Sequence, residues 1–232
     1  MAPDTEPAAV PSAEPSGLPS AALRQQPIGD LGGFINYLRC PGNADDNAAI
    51  SRFFSELGTH EQMLERILAD PATAALVEQR YQPPGVTLED LEGLPLGTLG
   101  RTYADFIDSH HFNPHFFHRE GVDDAMAYVI NRLRDTHDIW HVLLGFDASE
   151  AGESGMNAFT FTQTGNPSTC LLMAAKLIRS IPQAAGDREH VIQQIVRGFT
   201  LGMEAPPFLA EPWEEHWRTP LEELRRRFSL PD

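Results

Sequence analysis

His137 and His141 stand four residues apart in the stretch RDTHDIWHVLLGFDASEAGESGMNAF, with Asp138 beside the first and Glu153 after a gap of eleven residues beyond the second. On a helix, positions i and i+4 lie only about 40° apart around the axis, and Asp138 falls about 100° from His137. These three side chains can converge on one point. Gly145 is placed to stop that helix, and Asp147-Ala-Ser-Glu150 reads as a capping box that opens the next. A second helix that turns back puts Glu153 in its second turn, facing the histidine pair. Two imidazoles and two carboxylates form a borderline donor set that suits Zn2+ and also accepts Fe2+ or Mn2+. The order is HDxxH, so the glutamate of the HExxH zinc proteases has no counterpart. The bland alternative is a His–carboxylate cluster that only ties two helices together.

The elements that must position these residues all carry helical punctuation. Leu31, Phe34, Ile35 and Leu38 have helical spacing before Pro41-Gly42, and Ile50, Phe53, Phe54 and Leu57 repeat it before Gly58. Thr59 with Gln62 predicts a capping box, and Asp70-Pro71 predicts another helix start. Gln82-Pro83-Pro84-Gly85 breaks the chain. Leu88, Leu91 and Leu94 then lead to a helix over about Thr98–His110. An aromatic, histidine-rich loop occupies about 111–121, and helical patterns return at 122–144, 148–163, 168–181, 187–203 and 220–228. No alternating pattern long enough for a strand occurs. The expected fold class is all-α, one helical domain with the metal site on a helix hairpin.

Composition narrows the function. The 232 residues are 41% hydrophobic, enough for a core, and carry a net charge of −16. So acidic a chain repels phosphate backbones and argues against nucleic acid as a partner and against a polybasic membrane anchor. Residues 1–26 are rich in Pro, Ala, Ser and Glu and are expected to be a disordered tail ahead of a helical domain over 27–232. They have neither the apolar segment of a secretory signal nor the arginines of a transit peptide, and no apolar run is long enough to span a bilayer. Cys40 and Cys170 lack metal or redox spacing and are expected to be buried free thiols. The expectation is a cytoplasmic protein.

HDIWH followed by Glu153 resembles the signature of the coenzyme Q biosynthesis protein 4 family. Four further stretches are similar to family segments in the same order: LPLGTLGRTYADFIDSHHFNP (94–114), AYVINRLRDTHDIWHVLLG (127–145), FTQTGNP (161–167) and WEEHWRTPLEELRRRF (213–228). The resemblance implies an all-helical protein of ubiquinone biosynthesis with a divalent metal, usually zinc, held by His137, Asp138, His141 and Glu153. It also implies loss of the C1 carboxylate from a polyprenylated 4-hydroxy-3-methoxybenzoate, and association with other ubiquinone-biosynthesis enzymes at a membrane surface. For a bacterial member that surface is the cytoplasmic face of the inner membrane; a homodimer is compatible with the family.

Zinc cannot supply electrons, so an oxidative version of the reaction calls for iron, oxygen or a partner enzyme. Arg132 and Arg134, one or two turns upstream of His137, are candidates to fork onto a substrate carboxylate, with a solvated helix face as the alternative. Tyr103 and His110 are further candidates, although core packing accounts for Tyr103. Phe159, Phe161, Leu171, Leu172 and Met173 are candidates to line a prenyl channel, or are ordinary core. The rival reading of the whole chain is a non-catalytic prenyl-lipid-binding scaffold that presents intermediates to other enzymes.

Overall fold

Helix caps and glycine stops place the elements of this chain more firmly than helix propensity does. The computed structural model describes residues 32–40, 44–112 and 124–230. They form eleven α-helices: α1 (Gly32–Arg39), α2 (Ala44–Glu56), α3 (Thr59–Leu68), α4 (Pro71–Gln79), α5 (Leu88–Glu92), α6 (Leu99–His110), α7 (Ala125–Leu144), α8 (Glu150–Thr164), α9 (Pro167–Ser180), α10 (Ala185–Glu204) and α11 (Leu221–Arg227). No β-strand occurs among the described residues, as the sequence pattern predicts. The expected tail over 1–26, the stop at Pro41-Gly42 and most of the aromatic loop at 111–121 lie outside the described residues.

The helix that carries the histidines starts and stops by local chemistry. Asp124 caps α7 by accepting from the Ala127 amide at 3.2 Å, and Gly145 ends it at φ 67°. That left-handed conformation strains any residue with a Cβ, so glycine sits where the hairpin turns. α8 then begins at Ser149, whose hydroxyl accepts from the Gly152 amide at 3.1 Å. The expected capping box from Asp147 to Glu150 does not form. Asp147 accepts from the Ser149 amide and hydroxyl, while Glu150 pairs with Arg179 at 2.7 Å. The predicted Thr59–Gln62 box is also corrected: Gly58 precedes α3, and the Thr59 hydroxyl donates back to the Phe54 carbonyl at 2.8 Å. Both misplacements have one cause, since Ser, Thr and Asp hydroxyls and carboxylates satisfy neighbouring turns as readily as helix starts. The Asp70–Pro71 start is as expected, with Asp70 accepting from Thr73 at 2.7 Å.

α8 is held from behind by close approach to α10. A Cβ on Gly198 would lie 2.1 Å from the Gly155 carbonyl oxygen, and one on Gly155 would lie 2.3 Å from the Phe146 ring. Only glycine lets the two backbones meet this closely. On its other side α8 joins the main core, where Trp140 and Phe159 meet edge to face with centroids 5.7 Å apart and Phe159 and Phe208 at 4.9 Å. Trp213 and Phe228 extend that aromatic cluster, the Trp213 indole donating to the Phe208 carbonyl at 2.9 Å. The C-terminal segment also closes the start of α6: the Leu99 and Gly100 amides donate to the Thr219 and Trp217 carbonyls, each at 2.9 Å. These are amides a helix N-terminus leaves without intrahelical partners.

Candidate metal centre

The hairpin of α7 and α8 brings His137, His141 and Glu153 to one point. His141 is buried on the inner face of α7, its ring stacked on Phe106 with centroids 5.5 Å apart. Its Nδ1 lies 3.1 Å from the Phe146 carbonyl oxygen. A carbonyl only accepts, so the proton belongs on Nδ1 and the Nε2 lone pair faces the cluster. Across from it stand Glu153 Oε1 at 3.1 Å and His137 Nε2 at 3.2 Å, and His137 Nε2 is 3.7 Å from Glu153 Oε2. An imidazole lone pair aimed at a carboxylate oxygen sets acceptor against acceptor. Only a cation or a proton between them relieves that.

The spacing fits a cation. Ligands about 2.0–2.2 Å from a tetrahedral zinc ion sit about 3.3 Å from one another. Among the described residues, the group whose ligand atoms all lie within 4.8 Å of one another is His137, His141 and Glu153. Asp138 falls outside that group. It is half-buried on α7 beside His137, where its charge acts on the His137 ring and on the Tyr103 hydroxyl.

The electrostatics follow from this crowding. Burial disfavours the charged form of His137, but the hydrogen bond and charge of Glu153 outweigh it and hold the ring above its ordinary value of 6.5. Burial also works to raise the Glu153 carboxyl. His137 and His141, with help from Lys176, instead hold it well below the usual carboxylate range. Lys176 had no sequence signal. It comes from α9, is buried, and places Nζ 3.7 Å from Glu153 Oε2. Burial pushes its ammonium down against the opposing pull of Glu153 and Glu150. Tyr37 of α1 completes this side, its hydroxyl pushed up to about 12 by burial and by Glu153 and Glu150.

The other sequence candidates scatter, and Cys40 and Cys170, expected to be buried, are free but exposed, one just past the end of α1 and the other on the outer face of α9. Arg132 is buried away from the histidines, bonded to the Glu214 carboxylate and to the Glu211 carbonyl at 2.8 Å, with Tyr81 beneath its guanidinium. It is a structural ion pair and is not available for a substrate carboxylate. Arg134 is half-buried on α7. Tyr103 packs on Trp217 with centroids 5.2 Å apart, and burial, then Asp138, pushes its hydroxyl up. His110 lies tilted against the Phe106 ring and places Nδ1 2.8 Å from the Phe106 carbonyl. Phe159 and Met173 are buried, with Phe159 in the main core. Leu171 and Leu172 pack against Tyr37 and Ile50, and Phe161 meets Phe199 edge to face.

An all-helical chain with two imidazoles and a carboxylate gathered on a helix hairpin defines the class: a helical protein with a candidate divalent-cation centre. Residues 22–232 match the family described as Coenzyme Q (ubiquinone) biosynthesis protein Coq4. The chain belongs to that family. It is 31% identical over 179 residues to the mitochondrial ubiquinone biosynthesis protein COQ4 homologue of Bos taurus, a stretch covering 75% of this chain and 66% of the bovine protein. The Homo sapiens homologue is 30% identical over 177 residues, covering 74% and 66%. The chain thus spans just under two thirds of these relatives' length. A crystal structure of a protein from Nostoc punctiforme, provisionally named for ubiquinone biosynthesis, superposes with a TM-score of 0.77 at 27% identity. It covers 87% of this chain and 97% of that one. No helix among the described residues is long and apolar enough to cross a membrane.

Proposed function

We propose that this protein is a metal-dependent enzyme of ubiquinone biosynthesis that removes the C1 carboxylate from a polyprenylated 4-hydroxy-3-methoxybenzoate. The observation that carries this is the half-open centre: the buried His141 faces Glu153 and His137, whose side chains remain 31% and 35% exposed. Structural zinc sites are closed, whereas catalytic ones keep a position for water or substrate. His137, His141 and Glu153 would hold the ion and leave a fourth position for water or substrate, while Asp138, outside that group, adds negative charge beside His137; zinc suits the donors best, and iron(II) or manganese(II) are alternatives. A bound divalent ion supplies Lewis acidity toward a carboxylate or ring oxygen.

The chain's own groups do the rest. The Phe146 carbonyl fixes the His141 ring, and Glu153 sets the charge at the ion. In the redox-neutral form the bond from C1 to the carboxylate carbon breaks, its electron pair stays on C1, and a proton from solvent takes the vacated position as carbon dioxide leaves. The prenyl tail, other enzymes of the same pathway and the cytoplasmic face of an inner membrane are the proposed partners and setting.

A second reading, a non-catalytic prenyl-lipid carrier and scaffold, draws on the exposed Leu177 and Ile178 of α9, Ile181 just beyond its end, and Ile192, Val196 and Met203 of α10. Deleting the gene and analysing lipids by mass spectrometry tests the enzyme directly. A carboxylated polyprenyl phenol should accumulate, and an unchanged lipid profile would refute it. Glu153→Gln separates the two readings, since the side chain keeps its size and loses its charge. Ubiquinone synthesis should fall by orders of magnitude while prenyl-lipid binding survives; full restoration of ubiquinone by this variant would leave the carrier.

A further inference from the structure

The centre holds a cation that metal binding does not need. Lys176 projects from α9 with its side chain 5% exposed and Nζ 3.7 Å from Glu153 Oε2. A buried ammonium beside two histidines and a carboxylate repels a metal ion, so its presence has to be accounted for by something else at the same place. The nearby Arg179 does not share this feature, because Glu150 neutralises it at 2.7 Å.

Charge counting indicates what that something is. Asp138 and Glu153 carry two negative charges, and a divalent ion with neutral histidines cancels them. Lys176 then leaves a surplus of one positive charge on the buried side of this half-open centre. Tyr37 on this side stays neutral, and the charge of Glu150 is taken up by Arg179. A positive charge without a full counter-charge, held on the buried side of an open centre, favours a monoanion that enters from the open side. An ammonium can give up to three N–H donors, so contact with Glu153 does not exhaust it.

We propose that Lys176 is the group that recognises the substrate's anionic oxygen, gripping a ring carboxylate beside the metal and selecting a benzoate over the phenol that lacks the carboxylate. This rests on the decarboxylase reading for the substrate class, but the binding step stands apart from turnover. After carbon dioxide leaves, the product has no charge for Lys176 to hold, which favours release.

The test uses the zinc-loaded full chain and two probes, a 4-hydroxy-3-methoxybenzoate carrying one short prenyl group and the matched 2-methoxyphenol without the carboxylate. Calorimetry should show Lys176→Met weakening the benzoate by about 10- to 100-fold, the worth of one charge-assisted contact, with the phenol within about 2-fold. Lys176→Arg should restore part of the preference for the benzoate. Elemental analysis should find zinc unchanged in Lys176→Met. Loss of zinc, equal weakening of both probes, or no preference for the benzoate in the wild type would each overturn the assignment. A wild type that prefers the benzoate through Lys176 but never releases carbon dioxide overturns the decarboxylase reading and leaves this one standing.

Discussion

Helix α7 carries two charged clusters a turn and a half apart, and they have opposite characters. Arg132 meets Glu214 with both side chains under 10% exposed, adds the Glu211 carbonyl, and lies over Tyr81. Each contact sets a donor against an acceptor, although Arg132 Nε and Glu214 Oε2 are buried without a hydrogen-bond partner, and the cluster joins α7 to the segment around Trp213. His137 and His141 instead meet Glu153 with a lone pair aimed at a carboxylate and two of the three side chains partly open. Buried charge therefore does not mark a site. A mismatch that a cation would resolve, with a way in from solvent, does.

The sharpest way to break this comparison is Arg132→Leu. It leaves Glu214 buried without its partner, which costs about 3–5 kcal/mol. Denaturant melts should show that loss, while elemental analysis of the folded fraction finds metal at the wild-type level. Metal loss in that variant would mean that the two clusters are one.

Zinc should sharpen the contrast from the other side. At about a hundredfold excess over its Kd, zinc should stabilise the wild type and Arg132→Leu alike by about 2.7 kcal/mol. Glu153→Gln should show a much smaller shift in the same thermal melts.

The pH dependence has a definite sign. The depressed pKa of Glu153 contributes stability above its ordinary 4.5, lost as pH falls through the folded value. The raised pKa of His137 contributes stability below 6.5, lost as pH rises through its folded value. Metal-free protein should gain most from the cluster between those limits. Zinc needs deprotonated rings, so the zinc-induced shift should grow from about pH 5.5 to about pH 8. A shift that shrinks over that range would contradict the ligand assignment.

The smallest expected effect concerns the α8 cap. Ser149→Ala removes the acceptor for the Gly152 amide and should cost about 1 kcal/mol in denaturant melts. Glu153 lies one turn away, so a modest weakening of zinc binding should accompany it.

What the sequence showed of this site was its local part. His137, His141 and Glu153 are joined by one helix pair, and their spacing, with Gly145 to turn the hairpin, suffices to bring them together. Lys176 was invisible because it reaches the centre from a third helix, and a lysine in an otherwise apolar run carries no sign of where its ammonium goes. Arg132 misled for the same reason, since its partner Glu214 lies 82 residues away. Helix positions were legible from apolar spacing and from Gly and Pro. The caps at Thr59 and Asp147 were not, because the same short polar side chains also serve turns.

The central claim is that one divalent ion sits between α7 and α8. Elemental analysis of purified wild type and His141→Ala, each confirmed folded by circular dichroism, tests it most directly. About one metal per chain in the wild type and almost none in the variant is the predicted result; equal metal in both would contradict the site.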